Sequence, residues 1–228
     1  MPQLIAMVIV VVGAMIYMFQ TFGGTGDKIE GIAQKTSLIT ELNNLKNGLQ
    51  IAIRTGDLHN AIADDTATSI DESRAATTLK TLATNEYFAD QINKELTSTG
   101  YDTSENVYYA ISFGGKADKS MAIRLVMPTA AQVTAANGGA NAPIVRPGLY
   151  IDLTQGNLKN NASFLESQLV NDLSATASID RIAANDSTAV VLDKNGDVPS
   201  TDSNPSDTLK NDGKLVIYFK DFEQNMIK

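Results

Sequence analysis

From Leu4 to Phe22 the chain reads LIAMVIVVVGAMIYMFQTF, with no charge and only Gln20 and Thr21 clearly polar. As a helix rising about 1.5 Å per residue this run spans roughly 28 Å, close to the thickness of one bilayer core. Gly23, Gly24 and Gly26 follow, and then the spacing changes. Ile29, Ile32, Thr36, Ile39, Leu42, Leu45, Leu49 and Ile53 recur at three or four residues, which predicts an amphipathic helix with those positions on one stripe. Asp27 with Glu30 three residues later supplies a capping-box arrangement at its start, and Gly56 supplies a C-cap at its end. Taken as one element, residues 2 to 55 would be a helix of about 80 Å, too long for a single globular head to bury.

Beyond Asp57 the pattern is that of a mixed head. Ser73–Ala83 and Asn85–Leu96 predict short helices, and Val107–Phe113 with Met121–Met127 predicts a hairpin turning at Gly114 and Gly115. Strands are expected at Leu149–Leu153, Thr188–Leu192 and Leu215–Phe219, with a helix at Phe164–Leu173. Thr134–Asn141 and Asp193–Asp212 are polar, rich in Gly and Asn, and predict surface loops. The fold class is therefore α+β: a long N-terminal α-helix, hydrophobic half plus amphipathic half, packed on an antiparallel β-sheet head whose one apolar face matches the helix stripe. The divisions are residues 1–25 for the hydrophobic helix with its glycine break, 26–56 for the amphipathic helix and 57–228 for the head.

Charge and composition narrow the function. With 26 acidic against 18 basic side chains the net charge is -8, which repels nucleic acid phosphates, so no direct nucleic acid binding is expected. There is no cysteine and no tryptophan, so disulfides and thiolate metal sites are excluded. A cleaved secretory signal needs a basic leader region, and no Lys or Arg precedes Lys28, which favours a retained apolar segment, either already processed or lacking its leader.

Enzyme chemistry finds little foothold. His59 is the only histidine and stands after the predicted helix end, without a GxSxG or HExxH pattern. Asp64, Asp65, Asp71 and Glu72 are adjacent acids in a Thr/Ser/Ala context and predict a solvated loop. Gly114-Gly115-Lys116-Ala117 lacks the following Ser or Thr of a phosphate loop, and Met7, Met15 and Met18 sit among Val and Ile as packing residues. One oxygen-rich run stands out. Asp193, Asn195 and Asp197 alternate around Gly196 and form a candidate calcium site, but Asn204 stands where an EF-hand loop carries its glutamate, leaving Asp202 or a distant residue to complete the shell. A solvated turn is the plainer reading of the same residues.

An uncharged N-terminal half-helix, an amphipathic second half and an α/β head together resemble the type IV pilin family, closely from Met1 to about Asp57 and loosely thereafter. The resemblance implies a subunit made as an inner-membrane precursor with its leader clipped, Met1 at the processed and methylated position, and later placement in an extracellular filament for adhesion, motility or DNA transfer. It implies a homopolymer through the N-terminal helices, built by a pilus assembly machinery, with Leu4, Ile5, Val8, Val12, Gly13 and Ile16 in the filament core and Gly23, Gly24 and Gly26 as the helix break. Gly13 and Ala14 would permit close helix approach there. The start and length are similar to class b pilins. Two departures are plain: Ile5 stands where the family carries an acidic residue, and no cysteine pair closes a C-terminal loop. No cofactor beyond that calcium and no catalysis are expected. A pseudopilin of a secretion system and a membrane-anchored periplasmic binding domain remain as alternatives.

Overall fold

A computed structural model describes residues 31–58, 78–98, 107–136, 142–182, 191–199 and 210–222. The first described element, α1, is helical over 31–55. It ends as its glycine predicts: Gly56 has φ +76°, its N–H donates to the Ile53 carbonyl and the Asp57 N–H to that of Ala52, which satisfies the last turn. The buried face of α1 is Leu38, Glu41, Leu42, Leu45, Leu49, Ala52 and Ile53. This corrects the stripe at its start, because Ile32 is 58% exposed and Thr36 is also exposed. The steps 36→39→42→45 are three in a row of three residues each, which carry the stripe about half a turn around a 3.6-residue helix. Ile32 and Thr36 therefore face away from the core that Leu42 and Leu45 enter.

The head is α+β. Short helices α2 (Leu79–Thr84) and α3 (Asp90–Thr97) follow α1. Thr78 caps α2, its hydroxyl accepting from the Thr81 N–H at 3.1 Å. The expected helix from Asn85 begins five residues late, because Asn85 is the C-cap of α2 and Glu86 takes φ +61°; Asn93 then holds the Phe88 N–H and carbonyl with its carboxamide. Strand β1 (Val107–Tyr109) pairs antiparallel with β2 (Ala122–Val126), Tyr108 opposite Ile123. The hairpin is thus present with a longer connection: Ile111–Phe113 is a 3₁₀ turn and Gly115–Asp118 a single helical turn, α4. Helix α5 (Ala130–Ala136) takes the beginning of the expected 134–141 loop. Strand β3 (Gly148–Asp152), a 3₁₀ segment (Gly156–Asn161) and α6 (Ala162–Leu173) lead to β4 (Ala177–Asp180) and β5 (Lys214–Phe219).

The five strands among the described residues form one sheet in the order β1-β2-β3-β5-β4, every pair antiparallel. Strand β4 is a strand the sequence pattern did not predict, and the strand expected at Thr188–Leu192 is described only at its end. Residues 188–190 lie outside those described, and Leu192 makes only an isolated bridge to Ile144. The β4 sequence ASID carries too little apolar signal to predict a strand, and pairing with β5 supplies what its sequence lacks.

Both sheet faces are buried, not one. On the first, Ile123, Leu125, Leu149, Ile151, Leu215 and Ile217 share a single cluster with Leu38, Leu42, Leu45 and Leu49 of α1 and with Leu165 and Leu169 of α6. On the second, Val126, Tyr150, Val216 and Tyr218 gather with Leu192, and Ile144 and Val198 pack against them. Gly148 makes this second face possible, since a Cβ there would sit 2.7 Å from the Tyr218 ring and 2.8 Å from Val216. Two-sided burial explains why Leu215–Phe219 is a continuous apolar run with no alternation.

Candidate functional site

Helix α1 joins the head along one seam. Apolar contact does most of the joining, and polar groups fix its register. Glu41 is 4% exposed and accepts from the Ser112 N–H at 2.9 Å, the Ser112 hydroxyl at 2.6 Å and the Tyr108 hydroxyl at 3.2 Å. Charge-assisted bonds of this kind are what allow a carboxylate to sit in a core. Lys46 reaches the other end of the sheet, 2.7 Å from Asp221 and 5.0 Å above the Phe219 ring. Lys35 pairs with Asp172 at the end of α6 at 2.9 Å, and Thr55 bonds the Tyr87 hydroxyl at 3.0 Å. Gly48 lets the 87–88 segment press against the helix backbone, since a Cβ at this position would collide with Phe88 and lie 2.7 Å from the Tyr87 carbonyl oxygen.

A second polar network ties the chain after β4 to the chain before β5. Glu166 of α6 is fully buried and accepts from Arg181 Nε at 2.8 Å, the Asn211 N–H at 3.0 Å and the Gly213 N–H at 2.9 Å. Ser167 donates to the Asn211 carboxamide oxygen at 2.6 Å. Burial, then the neighbouring Glu166 charge, pushes the Asp212 carboxyl up, with its bond from the Lys214 N–H opposing.

The Asp193–Asp197 run is a closed turn. Asp193 Oδ1 accepts from the Asn195 N–H at 2.8 Å and the Asp197 N–H at 2.9 Å, and Gly196, at φ +80°, donates its N–H to the Asp193 carbonyl at 2.9 Å. These bonds, the one from Asp197 foremost, hold the Asp193 carboxyl below its usual range. Asp197 turns toward the Ser178 hydroxyl at 3.4 Å and Lys220 at 3.8 Å. Arg146 lies over Gly196, donating from Nε to the Phe222 carbonyl at 3.0 Å, and burial lowers its guanidinium against the opposing pull of Asp221 and Asp197. Among the described residues no group of three or more His, Asp or Glu is placed to hold a metal ion.

The remaining sequence-predicted positions fall elsewhere. Met1, Leu4, Ile5, Val8, Val12, Gly13, Ile16, Gly23, Gly24, Gly26, Asp27 and Glu30 lie outside the described residues, as do His59, Asp64, Asp65, Asp71, Glu72, Asp202 and Asn204. Among the described residues no helix is long and apolar enough to cross a membrane. Glu41 and Glu166 were not anticipated. Each had a signal, an acid directly beside leucines of an apolar helix stripe: Glu41 precedes Leu42, and Glu166 follows Leu165. No family model, curated protein or solved structure matches the chain.

Proposed function

We propose that this chain is the structural subunit of a type IV pilus-like extracellular filament, anchored in the inner membrane before assembly and polymerising through its N-terminal helix. One observation carries the reading: the uncharged Leu4–Phe22 run stands just upstream of a helix whose Leu38, Leu42, Leu45, Leu49, Ala52 and Ile53 are part of the head's core. A segment joined in this way would transmit position and load directly to the head. A hinged anchor needs no such seam of Glu41, Lys46 and Lys35. In this reading the apolar half and α1 form one long helix against the antiparallel sheet, and neighbouring subunits replace lipid around Leu4, Ile5, Val8, Val12, Gly13 and Ile16. The side chain usually recruited at the fifth position is Ile5 here, so packing rather than charge pairing would set the register of assembly.

Electron microscopy of surface fractions from producing cells, with mass spectrometry of the shed material, tests the reading. Thin filaments containing this chain and starting at a methylated Met1 are the expected result. A membrane-bound monomer alone would overturn it in favour of an anchored binding domain, and short filaments confined to the periplasm would favour a pseudopilin.

A further inference from the structure

A groove of about 670 Å³ runs beside the first described turns of α1. Gln34 and Ser37 of α1, Ser112 and Phe113 of the first 3₁₀ turn, and Asn157 and Asn160 of the second 3₁₀ segment line it. None of its lining residues is charged. The volume falls within the roughly 300–1,000 Å³ typical of small-molecule sites.

The groove's polar groups are held in place from beneath. Glu41 fixes Ser112 through both its N–H and its hydroxyl. Asp118 and the fully buried Ser120 together fix the Asn157 N–H, at 3.0 and 2.7 Å, and Ser120 also donates to Asp118. Gln34 accepts from the Asn161 carboxamide at 2.9 Å. The supporting backbone is strained: Lys119 and Met121 take φ +58° and +47°, conformations that L side chains rarely adopt, on either side of Ser120. Gly156 is required beside them, because a Cβ there would collide with Ser120 and Asp118. By contrast the side chains of Ser37, Asn157 and Asn160, which also line the groove, make no hydrogen bond to another described residue, and Asn157 and Asn160 are exposed.

We propose that this groove binds a neutral saccharide. Carboxamides and hydroxyls brought to one groove from α1 and the two 3₁₀ segments match vicinal sugar hydroxyls, each of which donates and accepts. The two carboxylates bonded to the lining, Glu41 at Ser112 and Asp118 at Asn157, with no cation among the lining residues, disfavour sialylated, sulfated or phosphorylated ligands. A peptide is a poorer match, because the only apolar side chains in the lining are Ala33 and the nearly buried Phe113, which leaves no pocket for a side-chain anchor. The proposal does not depend on filament assembly.

The test uses the full chain in a zwitterionic detergent free of sugar headgroups, applied to an array of neutral oligosaccharides and their sialylated and sulfated counterparts, followed by titration of the retained glycan. Retention of neutral members, weakened about tenfold or more in the Asn157→Ala, Asn160→Ala double variant at an unchanged melting temperature, is expected. These two exposed side chains make no hydrogen bond to another described residue, so the variant separates binding from folding. No retained glycan, a preference for the acidic members, or equal retention by the double variant would each overturn the proposal.

Discussion

Replacing Glu41 tests the seam most directly. In Glu41→Ala the Ser112 N–H loses its acceptor, the fully buried Tyr108 hydroxyl loses one of its partners, and the space of a carboxyl and its methylene opens beneath them. Losing hydrogen bonds to a charged acceptor costs about 1.5–3 kcal/mol, most of it at the buried Tyr108 hydroxyl because Ser112 is exposed, and the partial cavity adds to it. Removing the carboxylate also removes the cost of keeping an anion out of water, which acts in the opposite direction. Glu41→Gln separates the two. Its amide oxygen still accepts from Ser112, its NH₂ can donate to the Tyr108 oxygen, and the charge is gone. We expect Gln to lie within about 1 kcal/mol of the wild type and Ala to lose about 2–4 kcal/mol, or roughly 4–16 °C in melting temperature at about 2–4 °C per kcal/mol. Thermal unfolding of the full chain in detergent, followed by the near-ultraviolet circular dichroism of its tyrosines, measures both. An alanine variant as stable as the wild type, or a glutamine variant as damaged as the alanine one, would refute this account of the seam.

Other consequences can be measured in the same way. Gly48→Ala gains about 1 kcal/mol of helix propensity but drives a methyl group into Phe88 and the Tyr87 carbonyl, so a net loss of about 1–2 kcal/mol is expected; a stabilised variant would show that the contact is not close. Glu166→Ala leaves Arg181 and two backbone N–H groups without their shared acceptor and is expected to cost about 3–5 kcal/mol in denaturant unfolding, whereas a loss under about 1 kcal/mol would deny the network its role. The depressed Asp193 carboxyl binds a proton less readily in the folded chain than in the unfolded one, so its contribution is complete above the ordinary carboxylate range and is lost as pH falls below about 4. Asp193→Asn should flatten the acid limb of the stability curve, and an unchanged limb would count against the turn's bonds. Calcium held by Asp193, Asn195 and Asp197 would raise the melting temperature saturably. Because Asp193 Oδ1 is already taken by two N–H groups and Asp197 turns to Ser178 and Lys220, we expect no rise at millimolar calcium, and a saturable one would assign the site.

Local pattern was enough to place α1, its glycine stop, the β1–β2 hairpin, β3, α6 and β5, because each carries a strong periodic or continuous apolar signal bounded by turn residues. The Leu4–Phe22 run is legible in the same way, since length and absence of charge are properties of the chain alone. What the sequence left undecided was decided by partners distant along it. The phase of α1 depends on where the sheet and α6 lie, so Ile32 is exposed while Leu38 is buried. Strand β4 exists because β5 offers it an edge, and Leu192 and Val198 are drawn over Tyr150 and Tyr218 because the second sheet face also needs cover. The groove is likewise a product of tertiary structure: Gln34, Ser112 and Asn157 stand far apart in the chain, and only the closure of the 3₁₀ segments against α1 brings their polar groups to one surface.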